Sequence, residues 1–228
     1  MLEESLYNLS KSVKWGIPVL FPNAWPLTLE EQSRSGYRLP QHWFARTNRW
    51  KVIDRMETSL VQSLHSDDVI THDWYMWSGS ITNSIELNRD DCKFDYIITN
   101  EWEKPIPISF GMHPYFDVPQ GDKTAIQWKF EGWNKIAQDV QSWSNDGTTM
   151  IDMPKDGVIR VYIPWIWSLK IEADKEFKRL WIWSLPGKNF VCIEPVMGDE
   201  GAIVNNPPVV LEPRATLRTG IHISFDDV

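Results

Sequence analysis

Runs in which apolar and polar positions alternate with a period of two recur along most of the chain. ETSLVQSL, SGSITNSIELNRD, CKFDYIITNEW, TAIQWKF, GVIRVYIP, SLKIEAD, KRLWIWSL, FVCIEP and TLRTGIHISF are short, rich in β-branched and aromatic residues, and separated by Gly, Pro, Asn and Asp. That pattern predicts strands with one apolar face each, punctuated by turns. Faces of this kind need cover, so the pattern predicts an all-β fold of antiparallel sheets packed face to face. Helical periodicity is scarce. IPWIW carries an apolar stripe, but Pro164 does not fit a helix interior and the β-branched neighbours point to strand. PLTLEEQSR predicts one or two helical turns at most, ending before Gly36–Tyr37. The chain shows no internal repeat, low-complexity tract or linker, and the stretch from Gln120 to Lys123 reads as a turn, so residues 1–228 are expected to form one domain.

Composition narrows the function classes. A hydrophobic fraction of 42% over 228 residues is that of an ordinary soluble globular chain, and a formal net charge of −8 argues against a broad nucleic-acid footprint. A local arginine cluster would still suffice for an anionic small molecule. Cys92 and Cys192 read as isolated buried thiols rather than a disulfide framework. The first residues lack the basic-then-apolar pattern of a secretory signal, and no run approaches a membrane-spanning length, so a cytoplasmic chain without membrane partners is expected. The 14 tryptophans are unusual. Most are expected to be core, but Trp25, Trp43 and Trp133 stand among polar residues in loop-like segments, where an indole suits the C–H face of a sugar.

Three polar constellations interrupt this background. LPQHWFARTNRW groups His42, Arg46 and Arg49 among aromatics; an arginine there can grip a carboxylate or phosphate, or cap a loop carbonyl. SFGMHPYFDVPQ holds His113 between Met112 and Pro114, and the proline biases it toward extended geometry at a strand end. VCIEPVMGDEGAIVNNPP places Glu194 after an apolar strand and again before a proline, where burial would raise its pKa toward that of a base working near neutral pH. A histidine and a glutamate, each followed by proline, form either an acid–base pair across a sugar-sized gap or two unrelated turn residues. A metal-dependent β-sandwich is a further alternative, with His65, Asp67 and His72 as the candidate ligands, although HSDDVITHDW reads more simply as a solvated turn.

GIPVLFP, a histidine with FAR one residue beyond, HPYF, and IEP with Asn–Asn–Pro further on together resemble the aldose 1-epimerase superfamily, the galactose mutarotase-like proteins, nearest the hexose-6-phosphate mutarotase branch. The resemblance spans Trp15 to Phe225. It implies a β-sandwich of large curved antiparallel sheets with a sugar cleft across one sheet. It also implies His113 as the acid and Glu194 as the base of anomer interconversion, with His42, Arg46, Trp43 and Tyr115 lining the sugar site. No metal or cofactor is implied, and the partner is a small sugar or sugar phosphate bound by a monomer or weak homodimer. The sequence departs from the family where a small residue is replaced by Trp43, where a glycine pair is reduced to Trp15–Gly16, and where the segment before the first block is short. These departures keep open a non-catalytic carbohydrate-binding module, and the last suggests an exposed sheet edge or a partner's strand in place of the first strands.

Overall fold

The computed structural model describes residues 16–68, 75, 77–136, 143, 147–163 and 167–226. In chain order the strands are β1 (Val19–Leu20), β2 (Lys51–Arg55), β3 (Ser59–His65), β4 (Gly79–Leu87), β5 (Asp91–Asn100), β6 (Ile106–Ile108), β7 (Gly111–Met112) and β8 (Tyr115–Asp117). They continue as β9 (Gln127–Trp128), β10 (Gly147–Asp152), β11 (Val158–Ile163), β12 (Trp167–Ala173), β13 (Arg179–Ser184), β14 (Phe190–Val196), β15 (Val209–Leu211) and β16 (Thr216–Asp226). Two short helices, α1 (Leu29–Ser35) and α2 (Ala202–Asn205), accompany them.

Eight strands form one antiparallel sheet in the order β2-β3-β4-β5-β16-β12-β11-β9, and six form a second in which β14 is flanked by β13 on one side and by β7 and β8 on the other. Alternation decides which residues meet between them. Ile81, Ile98, Ile171 and Ile223 from the large sheet join Ile151, Leu180, Ile182 and Ile193 from the smaller one in a single buried cluster. The predicted sandwich is therefore the observed fold. Along β13, Leu180 and Ile182 enter that cluster, whereas Trp181 packs with Leu20, Ala24 and Val196 in a separate one on the sheet's other face.

Local structure follows the predicted pattern with a few corrections. The helix α1 has a capping box: Thr28 accepts from Glu31 N, the Glu31 carboxylate accepts from Thr28 N, and Gly36 closes the helix at φ 76°. TAIQWKF is mostly not strand, because residues 120–125 wind into 3-10 turns and only Gln127–Trp128 pair. Lys123 explains the winding. Its ammonium, buried with 1% of the residue exposed, donates to Gln120 Oε1 (2.9 Å), Ser184 Oγ (2.7 Å) and Leu185 O (3.1 Å). Those bonds tie the segment after β8 to the turn between β13 and β14, and burial lowers the lysine pKa to about 8. Cys192 is buried, but Cys92 is only half-buried. Pro164 and His72 lie outside the described residues. Among the described residues no helix is long and apolar enough to cross a membrane.

The sheet centre and its edge should differ in sensitivity. Ile98 is fully buried in β5, whereas Val52 on the edge strand β2 is 55% exposed. Ile98→Ala is expected to cost about 2–5 kcal/mol through transfer and cavity terms, and Val52→Ala under about 1 kcal/mol, as read from urea midpoints.

Candidate active site

The site is built by strand register. Gly111 pairs with Val196 at one end and Tyr115 with Cys192 at the other, so the interruption between β7 and β8 sets His113 opposite Glu194. On the other side of β14, Glu194 pairs with Trp181 and Cys192 with Trp183. Directly opposed antiparallel residues point to the same face, so His113, Tyr115, Glu194, Trp181 and Trp183 share one wall. Gly111 permits this close pairing: a Cβ built there would lie 2.6 Å from Val196 Cγ1. Glu194 lies within β14 rather than at its end, with Pro195 also inside the strand. Ile193 donates to Pro114 O and Met197 to Phe110 O on the β7–β8 side, so the N–H that Pro195 lacks falls in the break of the ladder.

The segment from Asn23 to Arg46 supplies the facing wall. Asn23 Nδ2 bonds Trp25 O and Pro40 O, Leu27 N bonds Leu39 O, and His42 N bonds Ala24 O, so the loop around α1 returns to its starting point. His42 adopts φ 57°, a left-handed conformation uncommon for a residue with a side chain. Phe44 then bridges Phe21, anchoring the turn to the core. The result is a cavity of about 190 Å³ between this turn and the face of the smaller sheet, lined also by Gln41 and Thr148.

His113 Nδ1 lies 3.5 Å from Glu194 Oε1, and both residues are 3% exposed. That gap is shorter than the sugar-ring width suggested by the sequence. The shorter distance suits a reaction in which both oxygens are bonded to one carbon. Tyr115 stacks parallel to His113 (centroids 4.6 Å, 1°), and Trp183 meets the ring edge-on at 5.8 Å, so the imidazole plane is held. His42 stands perpendicular to His113 at 5.1 Å. Arg46 NH1 is 2.7 Å from His42 Nδ1, and Arg46 also bonds Tyr115.

Burial dominates the electrostatics. It pushes the Glu194 carboxyl well above the usual carboxylate range, and the positive charge of Arg46 only partly offsets this. Burial, and then Arg46, lowers His42 to about 3. Burial also raises Tyr115. His42, His113 and Glu194 can bring three donor atoms within 4.8 Å of one another. A divalent cation there would face the guanidinium already bonded to His42, so the set fits a metal poorly.

Of the six residues predicted from sequence, the structure brings together His113, Glu194, His42, Arg46 and Tyr115. Trp43 is a correction. Its ring packs against the core and edge-on to Phe44 at 5.2 Å, and it does not line the cavity, because the His42 turn sends adjacent side chains to opposite sides. Trp133 is likewise remote and 46% exposed, in a 3-10 turn. Sequence reasoning assigned no site role to Gln41, Thr148, Trp181 or Trp183, although the alternation of KRLWIWSL put both tryptophans on one face. Trp25 and Trp181 meet at 4.1 Å between centroids with their planes tilted by 43°, and neither buried indole N–H has a hydrogen-bond acceptor among the described residues. Of the candidate metal ligands, the two described ones stay apart from this site: His65 Nε2 lies 3.0 Å from Glu101 and Asp67 is exposed.

A family model described as aldose 1-epimerase matches residues 23–146, just over half of the chain. Among curated proteins no sequence match is found. The Slr1438 protein from Synechocystis sp. PCC 6803 is similar in fold, with TM-score 0.86 and 22% identity over 98% of this chain and 82% of that one. A galactose mutarotase related enzyme from Lactobacillus acidophilus gives TM-score 0.74 and 18% identity over 92% of this chain and 83% of that one. A galactose mutarotase-like protein from Lactobacillus casei ATCC 334 gives 0.76 and 18%, over 92% and 85%.

The raised Glu194 pKa has a stability sign. Protonated Glu194 suits burial, so its contribution is complete below the ordinary value of 4.5 and is lost as pH rises through the higher folded value. Glu194→Gln should therefore raise Tm relative to the parent at pH 8, by about 2–4 °C for each kcal/mol relieved, and the advantage should vanish near pH 4. Thermal melts at the two pH values measure it; an equal shift at both would contradict the assignment.

Proposed function

Because the chain belongs to the aldose 1-epimerase family, we propose that it interconverts the α and β anomers of an aldose by general acid–base ring opening, with Glu194 as base and His113 as acid. The observation that carries this reading is the direct opposition of the two groups at 3.5 Å in a buried wall. Glu194 takes the proton from the C1 hydroxyl while His113 protonates the ring oxygen. The bond between C1 and that oxygen breaks, C1 becomes a carbonyl, and rotation about C1–C2 followed by reclosure with the roles reversed yields the other anomer. Each cycle returns both protons, so no cofactor is consumed.

The two groups need opposite protonation states, and burial supports the base role by raising Glu194 from the ordinary carboxylate range toward the basicity the step requires. Indole faces at Trp25, Trp181 and Trp183 suit the C–H surface of a pyranose, and Gln41 and Thr148 suit its hydroxyl edge. The substrate proposed is a neutral hexose. Arg46 is the only arginine or lysine among the described lining residues, and its guanidinium is engaged by His42 and Tyr115. A hexose 6-phosphate would need a further cation for its phosphate.

Polarimetry on freshly dissolved α-glucose and α-galactose is expected to show mutarotation faster than the spontaneous rate. Glu194→Gln and His113→Asn should each reduce kcat by about 10²–10⁴-fold, with circular dichroism unchanged. Glucose 6-phosphate should be at least about tenfold poorer in kcat/KM than glucose, the equivalent of one missing charged contact. Saturable quenching of tryptophan fluorescence by these sugars without any acceleration would instead support a non-catalytic carbohydrate-binding module.

A further inference from the structure

Two histidines face the same cavity as one carboxylate, and only one of them is needed as the acid. His42 and His113 lie 5.1 Å apart, centroid to centroid, and both can bring a ring nitrogen close to Glu194. We propose that Arg46 is a positioning residue that holds His42 as the neutral imidazole carrying its proton on Nε2. His42 then serves the cavity as a fixed hydrogen-bond donor, and His113 is the only imidazole there that exchanges protons.

The argument is one of donor and acceptor inventory. A guanidinium has N–H donors and no acceptor, and it stays charged at any physiological pH. Its NH1 lies 2.7 Å from His42 Nδ1, so that nitrogen must offer its lone pair. A neutral imidazole has one proton, which therefore sits on Nε2. Protonating the ring would turn Nδ1–H against an N–H donor and place two cations in contact.

Among the described residues the titratable and charged groups facing His42 are few. Arg46 comes from its own turn, His113 from the break between β7 and β8, and Glu194 from β14; Tyr115 on β8 reaches it through Arg46. Glu194 is the only anion among them and would favour a charged ring. The guanidinium opposes it at hydrogen-bond distance, and burial, the larger influence on His42, acts in the same direction as Arg46. If His42 could also ionise, a second cation beside Glu194 would weaken it as a base. Arg46 thus separates the roles of two otherwise similar rings. The geometric assignment stands alone; its catalytic consequence rests on the mutarotase reading above.

Long-range ¹H–¹⁵N correlation spectra of the ¹⁵N-histidine-labelled full chain test it, with the His42 signals identified by their loss in His42→Gln. His42 Nδ1 is expected at the unprotonated shift and Nε2 at the protonated shift, unchanged from about pH 8 to about pH 5. In Arg46→Met burial still keeps the ring neutral but nothing fixes its tautomer, so the Nδ1 and Nε2 shifts should move toward each other, and kcat/KM should fall about tenfold as the fixed donor is lost. Arg46→Lys, which restores a donor, should return the parental spectrum. A proton on Nδ1 in the parent, titration of His42 between about pH 5 and 8, or an Arg46→Met spectrum identical to the parent would each overturn the proposal. A parent chain with the stated tautomer but no mutarotase activity would sink the proposed reaction alone; an active chain whose His42 titrates would sink this inference alone.

Discussion

The register between the 111–117 segment and β14 is the constraint on which the site depends. In an antiparallel ladder the face of every side chain is fixed once one pair is fixed, and a slip of one residue would exchange the two faces. With Gly111 opposite Val196, Glu194 meets His113 and Trp181 on the cavity side, while Ile193 enters the apolar layer between the sheets. A slip would bury the carboxylate between sheets and place isoleucine in the cavity. The apolar layer therefore guards the register, since a one-residue misalignment costs both buried area and a stranded charge.

Gly111, Pro114 and Pro195 all act on this one feature. Glycine lets the two backbones pair against a β-branched valine. Pro114 breaks the strand so that His113 is not an ordinary ladder residue, and Pro195 removes an N–H just where the ladder is broken. Lys123 and the His42 turn then hold the segments on either side of the break, one under the β13–β14 turn and one over the cavity. The fold spends stability here, on a buried carboxylate and a left-handed histidine, and recovers it in the isoleucine-rich layer between the sheets.

Electrostatically the site is organised by burial first and by one guanidinium second. Burial sets the baseline by disfavouring the charged forms of Glu194, His42 and Tyr115 alike. Arg46 then treats them differently, favouring the anion at Glu194 and the neutral ring at His42. A single fixed cation placed asymmetrically gives chemically similar groups different duties.

Much of this was legible from the chain alone. Period-2 alternation and turn residues determined the strands and the face-to-face sheets, because those signals are local and repeat at every element. The two X-Pro motifs drew attention to His113 and Glu194 for an equally local reason, the conformational restriction that proline imposes on its neighbour. Which residues share the cavity was not local. Trp43 looked like a site residue because it adjoins His42, yet a left-handed φ at His42 sends the two apart, and no residue type announces that conformation except glycine. Trp181 and Trp183 looked like core because they sit in an apolar strand. Only the pairing of β13 with β14, which sets Trp181 opposite Glu194 and Trp183 opposite Cys192, decided that their face is the cavity's. The commitment of Arg46 to His42 is of the same kind: sequence supplies a cation four residues from an imidazole, but whether it meets that ring, a phosphate or a carbonyl depends on a turn closed by Ala24, and so on tertiary structure.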